Sequence, residues 1–376
     1  MTDYMKKSLT GIWVGDCVGN LGQLYFAHDI LKALEEGIAK FGGKLDKFHK
    51  QFQYSDDTEE AIVLFNHLVN NQQIIQNKLA MEFATRYMDR DPDGEIYGYG
   101  LNTRKVLRDI YEGVPWKDAN KFIKKTEGMP SHVDSLVDSL SKGRGFKVAM
   151  HEVNLVLEKA KKDDLGKELV GSCGNGSAMR VAVLGAYLAE TLIYTNPVPL
   201  GNHSVFNDND KHLITQAMLQ SEVTHCHDEG IAGSIAITAL ANIVARVVMN
   251  NRLKDTPHWM IYNELLRLTP EGQVKDGINK ARDLSLDLPI GKVIEILGNG
   301  THVTCQDTVP LCCYLAIKHI LSDKVENMYE KAIIETSMAF GDVDTNCAIV
   351  GGIVGIVSPP PQKWIQFCEP MEGVVC

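Results

Sequence analysis

The chain has 376 residues and a net charge of −10, with 44% apolar and 23% charged side chains. These are the proportions of a soluble globular protein with ample material for a core, long enough for two domains or one large one. The negative balance argues against nucleic-acid binding through phosphates, which needs a basic footprint, and suits an acidic cation pocket, although acidity also serves solubility alone.

Met1 to Lys7 has a charged start, but Ser8 to Gly19 is interrupted by glycines and Asp16, so no signal peptide is expected. No apolar run reads as long enough to cross a bilayer. The most apolar segment, Cys347 to Val357, reads as a buried core helix. The 9 cysteines include the adjacent Cys312 and Cys313 but no CxxC pairs at zinc-ribbon spacing. Small, reduced, buried thiols and a cytoplasmic location follow as expectations.

In chain order, Gly15-Asp16-Cys17-Val18-Gly19 comes first, with Asp16 either a turn or cap residue or an acceptor supporting a site. Ser55-Asp56-Asp57-Thr58 then runs into Ala61, Ile62, Leu64, Phe65, Leu68 and Val69, an apolar stripe at helical spacing. Ser55 is a good N-cap, and Asp56, Asp57 and Glu59 favour the positive end of a helix dipole. A cap needs only one acceptor, however. Two adjacent carboxylates beside a hydroxyl are also the oxygen ligands that hard divalent cations prefer. Arg90 to Gly94 reads as a turn, and Tyr97 to Gly100 as an aromatic platform or a packed turn.

Glu127 to Gly145 reads as a surface loop or short helix. Gly171 to Arg180, with Gly174-Asn175-Gly176-Ser177 at its centre, leads into a helix from Val181. Clustered glycines at a helix start offer backbone N–H groups to an anion, though loop glycines also serve plain turns. The motif is neither a Walker loop nor a dinucleotide-binding turn. Asn196 to Asp210 reads as a long connection and a possible lid. Thr224 and His225 stand at the head of a helix striped by Ile231, Ile235, Ala239 and Ile243. His225-Cys226-His227 is a poor zinc site, because adjacent helical residues diverge and closed zinc sites need four converging ligands.

Ala332, Ile333, Thr336, Ala339 and Phe340 form another helical stripe before Gly341-Asp342-Val343-Asp344-Thr345. The following helix is apolar on every face, so its Gly351, Gly352 and Gly355 point to close helix–helix contact, each glycine disfavouring the helix by roughly 1 kcal/mol against alanine. Two carboxylates at the mouth of a buried helix raise each other's pKa, a conflict that a bound divalent cation removes. Alternating β-type runs are scarce and no fixed-period repeat is visible, so the expectation is an all-α protein of many helices in a single domain, residues 1–376.

Taken in order, Gly15-Asp16-Cys17-Val18-Gly19, Ser55-Asp56-Asp57-Thr58-Glu59, Gly174 to Arg180, Thr224-His225, Gln306 to Pro310 and Gly341 to Thr345 resemble the ADP-ribosylglycohydrolase family over nearly the whole chain. The resemblance implies an orthogonally packed helical fold with a dinuclear magnesium site, manganese being a substitute. It implies metal ligands at Ser55, Asp56, Asp57, Asp342, Asp344 and Thr345. It also implies that Gly174, Asn175, Gly176, Ser177 and His225 line an ADP-ribose pocket, and that the substrate is an ADP-ribosylated protein or small ADP-ribosyl conjugate.

The resemblance further implies cleavage of the N- or O-glycosidic bond to the acceptor through an oxocarbenium-like state, with Asp56 or Asp57 expected to position or deprotonate water. Family members usually carry a glutamate shortly after the first glycine segment, and Gln23 stands in that region here. An amide cannot exchange a proton as a carboxylate does. Two alternatives stay open: a non-catalytic ADP-ribose-binding or structural member of the fold, and a hydrolase of another N-glycoside or of a phosphate ester.

Overall fold

A computed structural model describes residues 3–22, 52–120, 171–193, 206–322 and 327–375. Gln23, the Glu127 to Gly145 stretch and most of the Asn196 to Asp210 connection lie outside these residues. In chain order the α-helices are α1 (Asp3–Gly22), α2 (Asp56–Asn71), α3 (Gln76–Arg90), α4 (Leu101–Tyr111), α5 (Trp116–Ala119), α6 (Gly176–Met179), α7 (Ala182–Thr191), α8 (Asp208–Glu222), α9 (Asp228–Met249), α10 (His258–Leu268), α11 (Gln273–Asp283), α12 (Ile290–Leu297), α13 (Cys305–Ile320), α14 (Met328–Ser337), α15 (Val343–Val354) and α16 (Gln362–Ile365). Among the described residues the only β-type feature is an isolated antiparallel bridge between Gly174 and Thr304. The protein is all-α.

The glycines of α1 do not break it. Gly11, Gly15 and Gly19 recur every four residues, so they share one helix face, and that face meets α15. A Cβ at Gly11 would collide with the Gly351 carbonyl, one at Gly15 with the Cys347 carbonyl, and one at Gly19 would stand 2.7 Å from Asp344 Cα. On the α15 side, side chains at Gly351 and Gly355 would meet the backbone of Gly11. The close contact expected at Gly351 and Gly355 is therefore made, and its partner is the N-terminal helix. This seam carries the second acidic cluster up against α1, one turn beyond Asp16.

Several sequence expectations shift by a few residues. Phe340 is not part of the α14 stripe. The helix stops at Ser337, Phe340 and Gly341 take left-handed φ values of 57° and 74°, and the Phe340 ring is exposed. Residues 208–210 are the first turn of α8 rather than connection, closed by a capping box between Asn207 and Asp210. Thr224 and His225 lie in the turn before α9, whose N-cap is His227. Finally, α9 has 22 residues and is long and apolar enough to cross a membrane by length and composition, contrary to the sequence reading. Its most apolar stretch is 94% buried inside the fold, as in a core helix.

Candidate functional site

The N-terminus of α2 is organised from below by Asp16. This side chain is completely buried on α1, and its Oδ2 accepts hydrogen bonds from Ser55 N at 2.9 Å, Thr58 N at 3.1 Å and Thr58 Oγ1 at 2.6 Å. Burial pushes the Asp16 carboxyl up to about 7, against the opposing pull of its Thr58 bond. Of the two readings the sequence left open, Asp16 is a supporting acceptor within a continuous helix. From above, Asp56 N donates to Tyr97 O at 2.7 Å. Tyr97 and Tyr99 are both buried, so that segment is a packed turn, held by Asp91 accepting from the N–H groups of Glu95, Ile96 and Tyr97.

Ser55 caps α2 as expected, and its hydroxyl also donates to Asp57 Oδ2 at 2.7 Å. Thr345 Oγ1, nearly three hundred residues along the chain, approaches the same oxygen at 3.4 Å. The two acidic clusters thus meet at Asp57. Its other oxygen, Oδ1, is buried with no hydrogen-bond partner among the described residues. Burial, then the charges of Asp16 and Asp344, hold the Asp57 carboxyl well above the usual range. Burial followed by Glu60 and Asp344 does the same to Asp56. Burial and Asp344 raise Asp342 to about 7. These carboxylates are charged neighbours mainly of one another.

The donor set has the chemistry for a hard cation: carboxylates of Asp56, Asp57, Asp342 and Asp344 with hydroxyls of Ser55 and Thr345. Among the described residues no three His, Cys, Asp or Glu side chains form a ready-made ligand group. Magnesium does not require one, since it usually keeps several waters and takes one or two carboxylates. Asp57, whose Oδ1 is buried without a partner among the described residues and whose Oδ2 is approached by two hydroxyls, meets that demand, so the residues present fit the metal.

The glycine segment reaches the same place through Asn175. Its Nδ2 donates to Asp342 Oδ2 at 2.6 Å and to Thr308 Oγ1 at 3.0 Å. The loop is anchored to the start of α13 by the Gly174–Thr304 bridge and by Cys305 N donating to Cys173 O at 3.0 Å. Two of its own N–H groups are used internally, Gly174 N on Ser172 Oγ and Asn175 N on Val303 O. Ser177 is completely buried and donates to Gly230 O at 3.0 Å. The glycines make room for His225. A Cβ at Gly176 would stand 2.7 Å from the ring's Cε1, and one at Gly174 would stand 3.2 Å from Nε2.

Sequence reasoning did not single out the pair that joins these parts. Arg180 is completely buried, and its Nη1 donates to Glu60 Oε2 at 2.6 Å. Its remaining nitrogens donate to Gln220 and to Thr224 Oγ1, while its guanidinium lies 4.3 Å from the Phe83 ring centroid. The signal was available: Arg180 closes the glycine motif, and a buried arginine requires a carboxylate. A cavity of about 470 Å³ also borders this loop beyond Thr304, lined by Gln273, Lys280, His302, Gln306 and Asp307. Gln306 Oε1 is buried beside it without a partner among the described residues.

Comparison with known proteins gives one result. The family model described as ADP-ribosylglycohydrolase matches residues 2–370. No curated protein matches the chain.

Proposed function

Because this chain belongs to the ADP-ribosylglycohydrolase family, we propose that it is a magnesium-dependent hydrolase releasing ADP-ribose from an N- or O-linked acceptor. Membership itself implies a glycohydrolase and ADP-ribosylated substrates. The finer reading rests on one observation above others. Asp57, with an unpartnered buried oxygen, lies between Ser55 and Thr345, so the two acidic clusters converge on one spot.

Ser55, Asp56, Asp57, Asp342, Asp344 and Thr345 would hold two magnesium ions, or manganese in their place. Bound there, the metal supplies positive charge that holds the ribose hydroxyls and makes a water more acidic. The chain's own groups account for the rest. The half-buried Gly174 and Gly176 leave the loop's backbone accessible to the diphosphate. Asn175 keeps Asp342 in place, and His225 closes the loop's far side. The bond from the anomeric carbon to the acceptor breaks, the acceptor keeping the bonding pair and taking up a proton from solvent, and a water oxygen takes its place on that carbon. The proton that the water loses passes to Asp56 or Asp57, the carboxylates at the start of α2.

The test is turnover of ADP-ribosyl-arginine, ADP-ribosyl-serine and O-acetyl-ADP-ribose, with magnesium and with EDTA. Release of ADP-ribose that chelation abolishes is the expected outcome. Tight ADP-ribose binding without turnover of any of the three would overturn it in favour of a binding protein.

A further inference from the structure

A buried chain of hydrogen bonds fixes the protons of His225. Arg180 is completely buried, and a guanidinium can only donate, so Thr224 Oγ1 accepts from Arg180 Nη2 at 3.0 Å. The threonine hydroxyl has one hydrogen of its own. Its other polar neighbour is His225 Nδ1, at 2.8 Å. If Nδ1 carried the proton, it would donate to Thr224 and the buried hydroxyl hydrogen would be left without an acceptor, an arrangement disfavoured on desolvation grounds. Thr224 therefore donates, Nδ1 accepts, and the ring hydrogen sits on Nε2.

That nitrogen rests against the glycine loop. A Cβ at Gly176 would stand 2.8 Å from it and one at Gly174 would stand 3.2 Å away. Nε2 has no hydrogen-bond partner within the described residues. Burial and the Arg180 charge together hold the imidazole pKa down to about 3, so the ring stays neutral at ordinary pH.

We propose that Arg180 and Thr224 are positioning residues that hold His225 as its Nε2–H tautomer, a neutral donor to an oxygen of the ADP-ribosyl substrate at the Gly174–Gly176 loop. The ligand's identity rests on the function proposed above; the tautomer does not. His225 on this account gives a hydrogen bond and takes no proton from water.

Long-range proton–nitrogen NMR of histidine-labelled protein reads the tautomer directly. Nε2 should carry the proton and Nδ1 be bare from about pH 5 to about pH 8, the range in which an ordinary histidine titrates. Thr224→Val should release the tautomer preference and weaken ADP-ribose binding about 10-fold, the loss of one well-placed hydrogen bond. Thr224→Ser should restore both. A proton on Nδ1 in the wild type, or an unchanged tautomer and affinity in Thr224→Val, overturns the proposal.

If Thr224→Val does not fold, His225→Gln against His225→Ala decides the matter. The glutamine amide can donate in place of Nε2–H, so it should bind ADP-ribose about 10-fold more tightly than the alanine variant. Equal loss in both overturns the donor role. Wild-type protein with the stated tautomer but no affinity for ADP-ribose would sink the functional reading and the donor role while leaving the Arg180–Thr224 arrangement standing.

Discussion

Four carboxylates sit within the first five residues of α2, and they meet two different fates. Glu59 and Glu60 are fully buried, and each faces arginine: Glu59 is bridged by Arg86 and Arg90, and Glu60 by Arg180. Asp56 and Asp57, one turn of chain earlier, face other carboxylates and hydroxyls instead. Helix periodicity does not make the division, because Asp56 and Glu60 stand four residues apart on one face. The surrounding elements do, with Arg86 and Arg90 of α3 and Arg180 meeting the glutamates, and Asp16 of α1 and Asp344 of α15 facing the aspartates. Charge that the fold neutralises internally holds helices together. Charge left without a cation is the part available to a ligand.

The sharpest test of this contrast is Asp57→Asn. Turnover should fall by roughly 100-fold or more, while the metal-free protein should melt no lower than the wild type, because one member of a repelling group has been neutralised. Paired assays of ADP-ribose release and thermal unfolding check it. A large loss of stability would mean that Asp57 belongs with the structural carboxylates. Arg180→Met should show its main effect in stability. Leaving Glu60 buried without its guanidinium should lower stability by about 3–5 kcal/mol in chemical denaturation. A drop far below that would erase the distinction between the two halves of the α2 terminus.

Gly15→Ala probes the seam that carries the second cluster. Its methyl group would run into the Cys347 carbonyl, which is backbone and cannot swing away. The expected loss is about 1–3 kcal/mol, with metal affinity falling as α1 and α15 separate. Isothermal titration with magnesium reads that second effect.

The smallest expected effect is the pH dependence of the metal-free protein. Asp16 and Asp342 are raised to about 7 from 3.8, so between these values the folded state binds more protons than the unfolded. Their contribution to stability is complete below pH 3.8 and is lost as pH rises through about 7. The melting temperature should therefore fall from pH 5 to pH 8, by roughly 2 °C for each kcal/mol lost. Magnesium should flatten the fall, since a cation stabilises the charged forms. A melting temperature that rises over that range would contradict the crowding of unneutralised carboxylates.

Much of this was legible in the residues themselves. Apolar stripes at 3.6-residue spacing gave the helices after Ser55 and His225, and Ser55 announced its cap. The excess of carboxylates over what a cap needs marked Asp56, Asp57, Asp342 and Asp344 as candidates. Three-dimensional relations were less accessible. Gly11, Gly15 and Gly19 looked like interruptions because a glycine's weak helix propensity is local, whereas the stabilisation gained from close packing against Gly351 and Gly355 is not. Phe340 carried the α14 stripe one step too far, because periodicity has no signal for a left-handed φ on a non-glycine residue.

By itself, then, the sequence determined the helical class and the oxygen chemistry of two separated clusters, since both depend on local spacing and on side-chain type. Tertiary structure alone decided that Thr345 reaches Asp57, that Asn175 reaches Asp342, and that Arg180 ties Glu60 to Thr224. Those contacts join residues scores to hundreds of positions apart. The packing of α1 against α15 and the folding of the glycine loop onto α13 bring them together, and no local propensity encodes either.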